Sequence, residues 1–160
     1  MHLAAPLEAT LGEVDAFLRR IWLECCGHSS AFRLGETYGR TAMSESRQLD
    51  MPAPLCDVLH PGLQFYYEYD FGSPTGLQLK VVGLWDRDTD GDVQLLARNH
   101  PPEIACDVCG GRPATQICSQ CQWKGKGWLC AQCAQMHPCS REMFLPVVNS
   151  PRVGVCAYCG

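Results

Sequence analysis

The sequence predicts an α+β chain in two parts. A small antiparallel sheet with one main helix is expected over residues 1–100, and a small metal-stabilised, Cys-rich module over residues 101–160. Three observations carry this reading. Thr10 followed by Glu13 is a capping box that opens an apolar repeat at Leu11, Val14, Phe17 or Leu18, and Ile21. Residues 63–71 alternate, with Phe65, Tyr67, Tyr69 and Phe71 on one face and Gln64, Tyr66, Glu68 and Asp70 on the other. Three Cys-x-x-Cys pairs, Cys106/Cys109, Cys118/Cys121 and Cys130/Cys133, recur on one fixed spacing, and Cys156/Cys159 closes the chain.

In order along the chain, the repeat predicts an amphipathic helix from Thr10 to about Glu24, with Arg19 and Arg20 on its solvated side. It runs into Cys25-Cys26-Gly27-His28. Adjacent cysteines with a histidine two residues on form a candidate thiol or ligand site, set against simple packing of buried thiols. Short strands are expected at 30–34 and 37–38, and a polar surface loop at 41–53. Pro54 begins a short helical turn as its first residue, stopped by Pro61-Gly62. The Gly72–Gly76 turn then joins the alternating strand to a second one, about 77–85, in a hairpin. A third strand is expected at about 93–98.

Between those strands, Asp86-Arg87-Asp88-Thr89-Asp90-Gly91-Asp92 matches the first half of a calcium-binding loop. Its twelfth position is Ala97 where a bidentate Glu is needed, so a solvated turn is expected. Asn99-His100-Pro101-Pro102 is a stiff link into the last third.

A Cys-x-x-Cys turn directs two sulfurs at one tetrahedral metal, and zinc accepts both all-sulfur and sulfur/imidazole shells. With 12 cysteines and no export signal in the sequence, reduced thiols and a cytoplasmic location are expected. No apolar run reaches membrane-spanning length, so no membrane partner is expected. The loops between the first three pairs are short and equal, whereas ribbons built from consecutive pairs usually have gaps of about 15–20 residues. That spacing, followed by a Cys-x-x-Cys-x-x-x-His helix, resembles the cross-braced B-box and MYND zinc modules. The resemblance implies two zinc ions per chain. Site one would take Cys106, Cys109, Cys130 and Cys133. Site two would take Cys118, Cys121, His137 and one of Cys156 or Cys139, with Cys156 preferred.

Residues 1–105 carry 8 Lys/Arg and 15 Asp/Glu, whereas residues 106–160 carry 5 and 2. The second part is basic only until its metal sites are counted. Four thiolates around zinc carry a charge of about −2, and three with an imidazole about −1, which brings the module near zero. A strong phosphate-binding surface is thereby disfavoured. The loop Trp123-Lys124-Gly125-Lys126-Gly127-Trp128 is the one place where basic and aromatic residues interleave. Trp123, Lys124, Lys126 and Trp128 can clamp a single nucleic-acid strand or an acidic partner. The plainer reading packs both tryptophans on the metal site.

The first part resembles the plasmid pRiA ORF-three-like family, whose members are also described as passenger proteins of mobile elements. The residues that carry the resemblance are Gly27-His28-Ser29-Ser30-Ala31-Phe32, Leu55-x-x-Val58-Leu59 and Phe65-Tyr66-Tyr67-Glu68-Tyr69-Asp70-Phe71-Gly72. It spans roughly residues 10–100 and implies antiparallel strands with a helix across them. The chain departs from the family pattern after Gly72, where Ser73-Pro74-Thr75-Gly76-Leu77 replaces an acidic/His cluster. The tail around Cys156 is similar to the endings of members with a zinc module, which implies Cys156 as a ligand.

No catalytic residue is expected. The module holds one Glu, Glu142, and no His-Glu-x-x-His or His-x-Glu pattern, and the chain has neither a nucleophile elbow nor a phosphate loop. The leading expectation is a non-catalytic zinc-binding interaction or adaptor protein with a protein partner. A nucleic-acid-binding protein using Lys124/Lys126 and a zinc enzyme or redox sensor are the alternatives. A homodimer through an open sheet edge is a further expectation.

Overall fold

The structure is a computed structural model that describes residues 1–35, 46–86 and 91–160. The expected strand at Thr37-Tyr38, the start of the polar loop at 41–45 and the centre of the acidic loop at 87–90 lie outside the described residues. The chain divides into two compact units: Met1–Arg20 with Gly27–Asn99, and Ile21–Cys26 with His100–Gly160. A boundary drawn in sequence at residue 100 therefore misses a six-residue piece of the second unit, Ile21–Cys26.

In the first unit, Thr10 caps helix α1 (Leu11–Leu18) as its sequence dictates. The Glu13 N–H donates to Thr10 Oγ1 at 3.2 Å, and the Thr10 N–H donates to Glu13 Oε2 at 2.6 Å. The helical path continues to Leu23, but over Arg19–Leu23 it widens into a π-turn. Helix α1 buries Leu11, Val14, Phe17 and Leu18.

The same unit holds a four-stranded antiparallel sheet. Its order is β3 (Arg47–Gln48), β2 (Ser30–Leu34), β4 (Gln64–Tyr69), β5 (Thr75–Lys80). The period-2 pattern of β4 sends Phe65, Tyr67 and Tyr69 inward. Phe32 packs on Tyr67 and Phe65, with ring centroids 4.7 and 6.0 Å away. Each large side chain of this kind stabilises the fold by roughly 1.5–3 kcal/mol relative to exposure, before the cost of ordering it. Asp15 is the polar bolt between helix and sheet. Its carboxylate accepts from Tyr67 Oη (2.6 Å), Ser30 Oγ (2.6 Å) and Arg19 Nε (2.8 Å). Arg19 is therefore half-buried and not on a solvated face as expected; it also donates to the His28 carbonyl and lies over the Tyr69 ring.

Several sequence expectations are corrected. Phe71 is exposed, because the strand ends at Tyr69. Asp70 adopts φ 64° and its side chain accepts from the Gly72 and Ser73 N–H groups, which turns the chain before Phe71 can face inward. The second hairpin strand ends at Lys80 and not near Trp85, for its ladder partner β4 begins at Gln64, and among the described residues nothing pairs with Val82, Leu84 and Trp85. The third strand is present as expected, as β6 (Gln94–Ala97). It pairs with β1 (His2–Ala4), a strand too short to show a sequence period, in a separate two-stranded sheet. Within the polar loop, Arg47–Gln48 forms strand β3. Pro54 stands at the N-cap of α2 (Leu55–Val58) and not at its first helical position.

The second unit holds a three-stranded antiparallel sheet, β8 (Trp128–Leu129), β7 (Gln116–Cys118), β9 (Phe144–Pro146), with the short helix α3 (Ala131–Gln135). Its core consists largely of sulfur: Cys106, Cys118, Cys130 and Cys133 cluster with Leu129 and Ala134, and Cys121, Cys139, Met143 and Phe144 pack against them. Among the described residues no helix is long and apolar enough to cross a membrane.

Candidate metal centre

The first ligand set is built from a turn, a strand end and a helix start. The loop 106–112 folds back on itself, with the Cys106 N–H donating to the Arg112 carbonyl and the Gly110 N–H to the Cys106 carbonyl, both at 2.8 Å. Reciprocal bonds pin it to β8: the Asp107 N–H donates to the Trp128 carbonyl and the Trp128 N–H to Asp107 Oδ2, again at 2.8 Å. Strand β8 then delivers Cys130 to the N-cap of α3, and one helical turn brings Cys133 to the same side. Cys106, Cys109, Cys130 and Cys133 thus converge, with their ligand atoms all within 4.8 Å of one another. Cys109 Sγ and Cys130 Sγ are 3.9 Å apart.

The second set interleaves with the first along the chain. Strand β7 ends at Cys118, whose N–H donates to the Gly127 carbonyl at 2.9 Å, and the following turn brings the Cys121 N–H to 3.1 Å from the Cys118 carbonyl. Helix α3 ends at Gln135, which places His137 and Cys139 just beyond it. Cys118, Cys121, His137 and Cys139 form a second group within 4.8 Å. The preferred fourth member, Cys156, is not in it. Cys139 takes that position with its Sγ 3.6 Å from Cys121 Sγ, whereas Cys156 Sγ lies 3.6 Å from Cys26 Sγ. Cys139 needs only a two-residue step from His137, and the tail at Ser150–Cys156 turns elsewhere, through Val153 N–H to Ser150 and Val155 N–H to Arg152 carbonyl bonds.

Both sets fit a tetrahedral ion. Sulfurs bound at 2.3 Å to one zinc lie about 3.8 Å from each other, and the observed contacts bracket that value. His137 Nε2 is buried with no hydrogen-bond partner among the described residues, an arrangement that costs free energy unless the nitrogen binds something. The electrostatics are those of thiols waiting to share a cation. Backbone N–H groups, that of Cys130 foremost and then those of Cys109 and Val108, pull the Cys106 pKa down to about 6. The Cys133 N–H likewise lowers Cys130. For Cys118 burial acts upward, but the N–H groups of Cys121 and Gln120 outweigh it and its pKa falls. Bonding to Cys130 holds Cys133 protonated, up to about 12, and bonding to Cys121 raises Cys139 to about 11. Each set therefore mixes thiolate-prone and proton-retaining sulfurs, and a divalent ion displaces the protons that remain.

No protein-family model, no curated protein and no solved structure matches this chain.

The other expected site residues are placed as follows. Trp123 is 77% exposed on a turn of 3-10 helix (Gln122–Lys124), with Lys124 and Lys126 exposed beside it in sequence. Trp128 is half-buried on β8. The packing of both tryptophans on the metal site is corrected for Trp123, because Gly125 at φ 66° reverses the chain and leaves the preceding turn outside. His28 belongs to the first unit, with Nε2 3.5 Å from Asp70 Oδ2 and its ring edge-on to Tyr69. Cys25 and Cys26 belong to the second unit. Cys159 Sγ is exposed and bonds the Ala157 carbonyl at 3.2 Å.

Proposed function

We propose that the chain is a non-catalytic zinc protein in which two structural zinc ions hold a cross-braced module that docks another macromolecule. The observation that carries the reading is the composition of the two ligand sets. Among the described residues each offers four Cys or His donors and no more, which fills a tetrahedral ion and leaves no position for substrate. The cross-brace follows from the interleaving: pairs one and three converge, and pair two joins His137 and Cys139. Arg112 Nη1, 4.0 Å from Cys130 Sγ, offsets part of the charge that a four-thiolate zinc would carry.

The module's contact surface is proposed to be the turn that displays Trp123 beside Lys124 and Lys126, since an exposed indole is an unusual use of the residue that most often anchors interfaces. A protein partner is the first reading, in the cytoplasm. An exposed aromatic flanked by lysines also suits stacking on a single nucleic-acid strand, which is the second. Kinship of the first unit with the plasmid pRiA ORF-three-like family is likewise proposed, on the residues from Phe65 to Gly72.

The test combines metal analysis with binding. Elemental mass spectrometry of Cys109→Ser and Cys121→Ser is expected to show one zinc lost in each, and Trp123→Ala is expected to keep its zinc. Wild-type and Trp123→Ala chains are then compared by affinity capture and by anisotropy with single-stranded oligonucleotides at two salt concentrations. A protein captured only by the wild type supports the first reading. Oligonucleotide binding that collapses with salt supports the second. Zinc that stays bound in both Cys variants sinks the proposal.

A further inference from the structure

The tail of the second unit brings a third set of sulfurs together. Cys25 Sγ lies 3.8 Å from Cys26 Sγ, and Cys26 Sγ lies 3.6 Å from Cys156 Sγ, although 130 positions separate the last two along the chain. Both separations match the roughly 3.8 Å between sulfurs on one tetrahedral ion. They also lie far beyond the approximately 2.0 Å of a disulfide. All three residues belong to the same compact unit.

Hydrogen bonds tie the segments that carry these sulfurs together. Trp22 Nε1 donates to the Asn149 carbonyl at 2.8 Å, and Ser150 Oγ donates to the Trp22 carbonyl at 2.6 Å, which ties Ile21–Cys26 to the tail. Cys156 and Ala157 then adopt φ 50° and 55°, a left-handed conformation that non-glycine residues rarely take. Strain of this kind persists where the surroundings over-determine it, and it is commonest at ligand sites. Arg152 is fully buried, and its Nε donates to Cys25 Sγ at 3.4 Å. A permanent cation in that position balances the single negative charge of a divalent ion bound to three thiolates.

We propose that Cys25, Cys26 and Cys156 form a third metal site, for a thiophilic divalent cation of the zinc class, distinct from the two ligand sets of the module. Three thiolates leave the fourth tetrahedral position to solvent. Cys26 and Cys156 are exposed, whereas three of the four ligands of the first set are buried. The third ion therefore exchanges faster than the other two.

The test uses the full chain loaded with zinc and desalted. Elemental mass spectrometry is expected to give three zinc ions per chain in the wild type and two in Cys26→Ser/Cys156→Ser, whose substitutions are exposed and near-isosteric. Transfer of zinc to a chromogenic chelator is expected to show one fast equivalent in the wild type that is missing from the double variant. A double variant that keeps both the wild-type count and the fast phase overturns the proposal. Cys109→Ser and Cys121→Ser report separately on the two module sites. One ion lost in the double variant and none in those two would uphold the third site and sink the two-zinc module.

Discussion

Cys139 Sγ lies 3.6 Å from Cys121 Sγ, and that contact decides how the last three cysteines of the chain are used. With Cys139 in the second set, Cys156 is released to the Cys25/Cys26 sulfurs, and Cys159 is left as a surface thiol. Both ligand groups of the module are drawn from residues 106–139, and the tail contributes to neither.

Substitution of Cys139 separates these roles. Cys139→Ser is expected to lose the zinc of the second set and to destabilise the second unit by several kcal/mol, out of the about 10–16 kcal/mol that structural zinc supplies in small domains. Cys159→Ser is expected to change neither zinc content nor melting temperature. Elemental analysis with thermal melts of the two variants checks both. Equal losses from both would return the tail to the second set.

Metal removal acts unequally on the two units. The apolar part of the second core is little more than Ile117, Leu129, Ala134 and their neighbours, and the remainder is sulfur. Chelation is expected to abolish hydrogen-exchange protection in β7, β8 and α3. Strands β4 and β5 rest on Phe32, Phe65, Tyr67 and Tyr69, and are expected to keep theirs. Exchange mass spectrometry with and without chelator reads this directly; protection of β7 that survives chelation contradicts it.

The parts of the fold that were legible in sequence are those fixed by local periodicity. Thr10/Glu13, the alternation Phe65–Tyr69 and the Cys-x-x-Cys pairs each specify geometry within a few residues. What was not legible depends on distant partners. Strand β1 has three residues and no period, and it exists because β6 pairs with it. Val82, Leu84 and Trp85 look like strand residues and have no ladder among the described residues. Ile21–Cys26 reads as the end of a helix, yet its Trp22 bonds residues 149 and 150. Cys156 was misplaced for the same reason, since no spacing rule relates it to Cys26. The signal that pointed to the third set was the adjacent Cys25-Cys26 pair.

Alkaline titration of the zinc-loaded chain tests the helix–sheet bolt. Burial first, and then the bond to Asp15, push the Tyr67 pKa above its ordinary value of 10.0. A group whose folded pKa is raised stabilises the fold fully below its unfolded pKa and loses that contribution as pH rises beyond it. The first unit is therefore expected to lose stability above about pH 10, and Tyr67→Phe is expected to flatten that decline. At neutral pH the same substitution removes a hydrogen bond to a carboxylate and is expected to cost about 2 kcal/mol. Denaturant melts at pH 7 and pH 11 give both quantities; a variant with the wild-type slope between them rules out Tyr67 as the titrating group.

Gly127 is the position where backbone approach alone should control the second ligand set. A Cβ there would sit 2.5 Å from both Cα and N of Gln122, closer than real contacts allow, and the obstruction is backbone. The Gly127 carbonyl also accepts the Cys118 N–H at 2.9 Å, so any shift to relieve the clash moves a ligand. Gly127→Ala is expected to weaken zinc retention at the second set while sparing the first, where no atom of Gly127 takes part in the bonds that pin the 106–112 loop. Cobalt substitution makes the two sets distinguishable, because four-thiolate and three-thiolate/imidazole shells absorb at different wavelengths. Loss of the three-thiolate/imidazole bands alone is the expected result. Retention of both at wild-type chelator resistance would mean that the Gln122 turn yields freely, and that its close packing on Gly127 does not hold Cys118 and Cys121 in place.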